Sequence, residues 1–291
     1  MRYRITHETE YHYAMPVSVG QNQVFLRPRD LPGRQRCIGS IIDFEPSPAI
    51  SNIRRDYFGN ESTLFSIQEP HAHMNVIAVS EVEVTPPGPP IPGMSPAWET
   101  VRDGARRDHT ATGLETLQYI YDSPLVGVLP ALTAYAQESF PAGKPIFDGA
   151  LELTQRIFAD FKYDPTTTTV STPVDEVFDQ RSGVCQDFSH LQIAMLRGLG
   201  LPARYVSGYL RTFRDESDPK LIGADASHAW LAVGDGQGHW TDYDPTNNQI
   251  PGEHHVTVAW GRDYSDVCPV RGVIVGGGDQ SIDVQVKVTP I

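Results

Sequence analysis

Three residues of the 291-residue chain carry side chains suited to nucleophilic catalysis: Cys185, His228 and Asp244. Cys185 stands at the head of "CQDFSHLQIAMLRGLGLP", in which apolar residues recur at helical spacing. Unpaired N–H groups and the positive end of the helix dipole surround the first turn of a helix, and both favour a thiolate over a thiol. The same N–H groups can stabilise an oxyanion. This position therefore predicts Cys185 as a nucleophile.

The partners of this cysteine are predicted from a β-hairpin. The segments "SHAWLAV" and "HWTDYDP" flank "GDGQG", which is rich in turn residues. A hairpin centred on Gly236 places His228 directly opposite Asp244, with Cβ atoms about 5 Å apart. A register shift of one residue places Tyr243 or Pro245 there instead, and His228 and Asp244 are then ordinary strand and turn residues. In the first register Asp244 fixes the tautomer of His228 and stabilises its imidazolium, which prepares a nearby thiol for attack.

The elements that must position these residues fall into two parts. Residues 1 to 85 read as short strands, beginning with the alternating pattern of "RYRITHETEYHY". The proline-rich segment "TPPGPPIPGMSP" is predicted to be a stiff connector. We therefore predict an N-terminal antiparallel β-sandwich-like domain at 1–92 and a catalytic core at 93–291. The core is expected to be α+β, with helices first and an antiparallel sheet that includes the last strand, "SIDVQVKV".

The helix that starts near Cys185 is predicted to be amphipathic. Its apolar stripe runs through Phe188, Leu191, Met195 and Leu199. "GLGLP" is expected to end it, with Gly200 in the left-handed conformation.

Composition excludes several classes of function. The formal charge of −13 is unfavourable for binding nucleic acid or an anionic membrane surface. The N-terminal residues "MRYRITHETEYHYAMP" contain no apolar signal-peptide region, and no apolar run is long enough to span a bilayer. Cys37, Cys185 and Cys268 form no CxxC pair, which indicates a reducing compartment and a cytoplasmic location. We interpret Cys37 and Cys268 as small buried apolar residues. The sequence does not indicate the oligomeric state.

A metal site is the alternative use of these side chains. Cys185, His190, His228, His254 and His255 offer suitable ligand atoms. Cys185 and His190 are five residues apart, however, which directs them to different faces of a helix, and the sequence contains no HExxH motif. We therefore predict no metal and no other cofactor.

Five segments resemble the transglutaminase-like superfamily in its bacterial form with an N-terminal β region: "GVCQDFSHL", "GLPARYVSGYL", "ASHAWLAV", "DYDPTNN" and "GRDYSDVCPVRG". The resemblance implies Cys185 as nucleophile, His228 as general base and acid, and Asp244 as the residue that orients His228. It implies a papain-like core, in which a cysteine-bearing helix packs on an antiparallel sheet. The calcium sites of animal transglutaminases have no visible counterpart.

Three further residues are candidates for the oxyanion or the substrate. Animal transglutaminases use an aromatic residue before the cysteine to hold the oxyanion, and the resemblance suggests Tyr163 for this position. Gln186 follows the nucleophile directly, and a solvated or capping role is the alternative for its amide. Trp230 is predicted on the face of His228, where it either lines the cleft or packs in the core.

These observations predict a thiol-dependent amide hydrolase or acyl transferase that acts through a thioester on peptides, proteins or glutamine side chains. We favour a cysteine protease or amidase, since the bacterial form of the family is associated more with hydrolysis than with cross-linking. A protein-glutamine transamidase and a non-catalytic scaffold of the same fold are the alternatives. Arylamine N-acetyltransferases use a similar triad, but their motifs do not match.

Overall fold

The computed structural model describes residues 1–88, 90–212, 221–224 and 226–291, which form an α+β fold. Five strands come first: β1 Arg2–Val24, β2 Gln35–Glu45, β3 Ile50–Arg55, β4 Glu61–Ile67 and β5 His71–Val84. The helical part that comes next contains α1 Trp98–Ala105, α2 Ala111–Leu117, a 3-10 helix Gln118–Ile120, α3 Pro130–Gln137, α4 Ile146–Asp160, β6 Lys162–Tyr163, α5 Val174–Gln180, β7 Ser182–Gly183 and α6 Cys185–Gly198. The chain then forms β8 Ala203–Leu210, β9 His228–Gly234, β10 Trp240–Tyr243, β11 His255–Gly261, α7 Tyr264–Val267, β12 Val270–Gly276 and β13 Gln280–Pro290. The predicted α+β class with an N-terminal antiparallel β region is confirmed.

The long strand β1 organises a seven-stranded antiparallel sheet. Its first half pairs with β5 and β13, and its second half pairs with β4 and β12. Strands β2 and β3 form the two ends of the order β2-β5-β1-β4-β3. The alternation predicted for β1 is present, since Tyr3, Ile5, His7 and Thr9 are buried.

The expected location of the last strand was wrong. β13 pairs with β1 from Tyr3–Pro290 to Tyr13–Gln280, so it belongs to the N-terminal sheet rather than to the sheet of the core. Alternating apolar residues show that one face of a strand is buried but not which sheet buries it. Residues 270–290 of the predicted core therefore complete the first sheet, while the boundary between residues 92 and 93 stays a prediction.

The second sheet is antiparallel in the order β10-β9-β8-β11, and α6 packs against β8 and β9. The amphipathic pattern predicted for α6 was incomplete, because every residue from Gln186 to Arg197 is buried. Its polar side chains bond to neighbouring elements: Gln192 Nε2 donates to Thr154 Oγ1 at 2.8 Å, and Arg197 donates to three backbone carbonyls. Gly200 ends the helix at φ +76°, as predicted.

Two amides of the N-terminal part cover the edge of β11. Gln35 donates to the Thr257 carbonyl at 2.7 Å and accepts from its N–H at 2.9 Å. Asn60 bonds in the same way to the carbonyl and N–H of Trp260, at 2.8 and 3.0 Å. An edge strand otherwise exposes unpaired backbone groups, so these amides join the two sheets and fix β11. No helix within the described ranges has the length and apolar character needed to cross a membrane.

Candidate active site

The hairpin that carries His228 and Asp244 has a different register from the predicted one. β9 and β10 pair Leu231 with Tyr243 and Ala232 with Asp242, so the turn is centred on Gln237 rather than on Gly236. Side chains alternate with a period of two along a strand, and a shift of two residues therefore leaves a residue on the same face. The predicted direct opposition was wrong, but Asp244 stays on the face of His228.

The two side chains meet inside the protein. His228 Nε2 lies 2.8 Å from Asp244 Oδ2, and both side chains are fully buried. This bond leaves Nδ1 as the ring nitrogen available to a thiol. Nδ1 is buried and has no hydrogen-bond partner in the described part of the chain. The backbone of Gly223 lies beside it, since a Cβ at that glycine would be 2.7 Å from Nδ1.

The protonation of His228 depends on its two neighbours. Burial by itself lowers the pKa of His228, but the negative charges of Asp244 and of the Cys185 thiolate outweigh burial and raise this pKa to about 10. The Cys185 thiol is therefore a neighbour of the His228 ring. An imidazolium is thus the favoured charge state of His228 at neutral pH.

Asp244 is held by five donors. Its Oδ2 accepts from His228, from His255 Nε2 at 3.2 Å and from Asn247 Nδ2 at 2.8 Å. Its Oδ1 accepts from the backbone N–H groups of Thr246 and Asn247, at 2.9 and 3.2 Å. Although burial alone would raise the pKa of Asp244, the charge of His228 and these bonds hold it well below its ordinary value. The carboxylate stays ionised and fixed.

Two residues of this cluster, His255 and Asn247, were not predicted to contact Asp244. The sequence indicates His255 only as a possible metal ligand and Asn247 only as part of "DYDPTNN". The signal for Asn247 is its position just after an Asp-Pro turn, where an amide folds back on the aspartate. The sequence contains no comparable signal for His255, because β11 reaches Asp244 through the fold alone.

Cys185 begins α6, and a side-chain cap holds the chain in front of it. Asp187 Oδ2 accepts from the N–H of Val184 at 2.8 Å and from Thr168 Oγ1 at 2.7 Å. Burial raises the pKa of Asp187, and these two bonds oppose that rise. Gly183 is needed for close approach, because a Cβ at this position would lie 2.6 Å from Asp187 Oδ2. The cap and the glycine together fix the backbone that presents the thiol.

We expect Gly183→Ala to unfold at a lower denaturant concentration than the unmodified protein. The new methyl group displaces the Asp187 carboxylate from the Val184 N–H, and losing a helix cap typically costs about 1 to 2 kcal/mol. Urea denaturation measures the change. Gly39→Ala is the matched control, because a Cβ at Gly39 meets nothing within 4 Å and the variant should unfold at nearly the same concentration. Equal midpoints for the two variants would contradict this account of the cap.

The three oxyanion and substrate candidates have different surroundings. Tyr163 pairs with Gly183 between β6 and β7, and burial, together with the charge of Cys185, raises its pKa. Gln186 Nε2 donates to the Val170 carbonyl at 3.0 Å, so its amide is already bonded. Trp230 is fully buried and its ring centre lies 6.1 Å from that of His228. Of the three, Tyr163 is the one that is partly exposed, whereas Gln186 and Trp230 are buried.

The nitrogen and oxygen atoms of His228, Asp244 and His255 lie within 4.8 Å of one another, a spacing that a metal ion could use. In this arrangement both imidazoles bond directly to the same carboxylate oxygen. His190 lies elsewhere and accepts from the N–H of Tyr264. Direct hydrogen bonding accounts for the cluster, and the expected absence of a metal stays a prediction.

Two family models match the chain. Residues 3–83 match the bacterial transglutaminase-like N-terminal region, and residues 133–245 match the transglutaminase-like superfamily. Cys185, His228 and Asp244 all lie within the second match.

The chain belongs to the transglutaminase-like superfamily.

Individual relatives show how far the likeness extends. An uncharacterized protein of Mycobacterium tuberculosis is 40% identical over 99% of this chain and 93% of its own length. The crystal structure of a candidate cysteine protease from Cytophaga hutchinsonii has a TM-score of 0.76 and 20% identity, and it covers 99% of this chain and 90% of that chain. A protein-glutamine gamma-glutamyltransferase of Pseudomonas aeruginosa is 28% identical over 34% of this chain and 16% of that protein. The transglutaminase-like fold therefore extends over the whole chain.

Proposed function

We propose that this protein is a thiol-dependent amide hydrolase, a cysteine protease or amidase, with Cys185, His228 and Asp244 as its catalytic triad. The observation that carries the proposal is the position of His228, which bonds to a buried carboxylate through Nε2 and interacts with the Cys185 thiol. The position of the thiol at the first residue of α6 also supports it. No cofactor takes part in the proposed reaction.

In the acylation step, the Cys185 thiolate attacks the carbonyl carbon of an amide, and a C–S bond forms. The N–H groups at the start of α6 face the developing oxyanion, and Tyr163 is the candidate for a second donor. The His228 imidazolium gives its Nδ1 proton to the leaving nitrogen as the C–N bond breaks. The products of this step are a free amine and a thioester on Cys185.

In the deacylation step, neutral His228 accepts a proton from water at Nδ1, and the hydroxide attacks the thioester. The C–S bond breaks and the carboxylic acid leaves, with the thiolate–imidazolium pair restored. Asp244 stays ionised throughout, because five donors hold it and its pKa is low. Its role is to keep Nε2 protonated and to stabilise the imidazolium.

The alternative to hydrolysis is transamidation, in which an amine takes the place of water. The partial match to the Pseudomonas aeruginosa glutamyltransferase supports this alternative, whereas the bacterial form of the family supports hydrolysis. The acidic chain favours neutral or basic peptides as substrates, since a charge of −13 repels anionic ones. We also propose a reducing, cytoplasmic location, because all three cysteines are unpaired.

Product analysis distinguishes the two reactions. We expect a mixed peptide library and a glutaminyl peptide to yield free carboxylates, seen by mass spectrometry as the addition of water, both with and without added alkylamine. Amine-adduct formation that exceeds hydrolysis would instead assign the protein as a transamidase. If the folded protein forms neither product, and its Cys185 is no more reactive to iodoacetamide than Cys268, the non-catalytic scaffold is favoured.

A further inference from the structure

Arg204, in β8, has an unusual environment. It shares a sheet face with Val206, Trp230 and Ala232, which form a small cluster separate from the main core around α6. Only 7% of the residue is exposed. A charge so buried is normally paired or fully hydrogen-bonded, because removing it from water is costly.

Two indole rings cover the faces of this guanidinium. Its central carbon lies 4.2 Å from the ring centre of Trp240 and 3.8 Å from that of Trp260. Arg29 also packs on Trp260, at 3.5 Å. These cation–π contacts leave only the in-plane N–H groups of Arg204 for hydrogen bonding.

Those N–H groups have no acceptor in the part of the protein that the structure describes. Nε is buried without a hydrogen-bond partner, and within the described ranges no carboxylate or carbonyl accepts a hydrogen bond from this guanidinium. Asp242 is the carboxylate near Arg204, but it is already paired, because its Oδ2 lies 2.5 Å from Arg34 Nη2. His239 is likewise paired with Asp235 at 2.9 Å. Among the described residues of this region, Arg204 is thus a cation without a directly bonded counter-ion.

A cavity of about 410 Å³ opens beside Arg204, with Arg34, Trp240, Asp242 and Trp260 among its lining residues. This volume is in the range of small-molecule sites. Cys185, His228 and Asp244 are not part of its lining. The cavity is therefore separate from the candidate active site, and binding of a ligand there does not depend on the proposed catalytic function.

We propose that this cavity is a binding site for a small carboxylate-bearing molecule whose carboxylate pairs with Arg204. A guanidinium covered on both faces presents a flat fork of donors, and this geometry matches the two oxygens of a carboxylate. The indole rings of Trp240 and Trp260 provide an apolar surface for the rest of the ligand. Inorganic phosphate can also accept from the fork with two of its oxygens, but it has no apolar part to contact the indole rings, so it binds more weakly.

Tryptophan fluorescence and calorimetric titration test the proposal on the full chain. The probes are benzoate, N-acetylglycine, inorganic phosphate and benzamide, the last being a neutral analogue of benzoate. We expect saturable binding of the two carboxylates, weaker binding of phosphate and none of benzamide. Arg204→Lys keeps the charge but loses the fork, so we expect it to weaken benzoate binding about tenfold or more. Arg271→Lys, a substitution on β12, should leave binding unchanged.

Three results would overturn this assignment: no saturable carboxylate binding at millimolar concentration, equal binding of benzamide and benzoate, or unchanged binding by Arg204→Lys. If that variant fails to fold, the unmodified protein labelled with ¹⁵N in its arginine side chains provides the measurement. Benzoate should then shift the resonance of one slowly exchanging Nε–H group. An unshifted spectrum at high benzoate concentration would show that Arg204 is only a packing residue.

Discussion

Replacement of Cys185 by alanine should reduce amide hydrolysis by at least about 10³-fold while the protein stays folded, because the nucleophile and its base act as one unit. Alanine removes the sulfur that forms the acyl-enzyme and leaves the cap in front of α6 intact. What remains is the slow attack of water assisted by the oxyanion donors. Kinetics with the substrate found by product analysis measures the loss.

Cys268→Ala is the matched control for this prediction. Cys268 is a partly exposed free cysteine like Cys185, but its thiol bonds to Tyr264 and to the Val270 carbonyl rather than to the triad. We expect its kcat/KM to stay within a factor of about two of the unmodified protein, since no step of the proposed reaction uses the Cys268 thiol. Equal loss of activity in both variants, or retained activity in Cys185→Ala, would contradict the assignment of Cys185 as the nucleophile.

Replacement of Asp244 by asparagine should lower kcat by about 10⁴-fold, as the same change does in a serine protease triad, where the histidine takes the wrong tautomer. The surroundings of Asp244 make this change severe. Five donors point at its two oxygens, and an amide has only one oxygen, so its NH₂ group must face N–H donors. We therefore also expect a lower melting temperature.

Asp244→Asn should also shift the pH dependence of kcat/KM, and the pKa of His228 gives the direction of that shift. The negative charge of Asp244 is a main cause that holds the pKa of His228 near 10 against the lowering effect of burial. Without that charge the pKa of His228 falls, so the imidazolium is lost at a lower pH. The alkaline limb of kcat/KM should move towards neutrality, and iodoacetamide should no longer react quickly with Cys185 at neutral pH.

Asp235→Asn is the control for these pH profiles. Asp235 lies in the same hairpin and bonds to turn N–H groups and to His239, without contacting His228. Its variant should retain the alkaline limb of the unmodified protein. An unchanged limb in Asp244→Asn would mean that Asp244 does not control the protonation of His228.

The sequence indicates the residue types of the site more accurately than it indicates their spatial arrangement. Residue type, a helix start and a hairpin predict Cys185, His228 and Asp244 as the site residues, and in the structure His228 Nε2 lies 2.8 Å from Asp244 Oδ2. The hairpin register was wrong by two residues because glycines on both sides of Gln237 permit more than one turn. His228 and Asp244 are nevertheless close together, because a register shift of two residues leaves a side chain on the same face of its strand.

Contacts between distant parts of the chain could not be predicted. His255 reaches Asp244 because β11 pairs with β8 and is fixed along its edge by Gln35 and Asn60, which come from the N-terminal part. β13 joins β1 across almost the whole chain. Such pairings depend on the relative energies of alternative sheets, and local alternation carries no information about them.

The sequence by itself determined the class of elements, the helix start at the cysteine, the glycine that ends that helix and the residue types capable of acyl transfer. These follow from local rules, since capping, turn formation and the period of apolar residues depend on a few neighbouring positions. Only the tertiary structure decided which sheet receives the last strands, which donors surround Asp244, and that Arg204 lies between two indoles without an acceptor among the described residues. Burial and pairing of this kind arise when distant segments exclude water from one another, which no local pattern records.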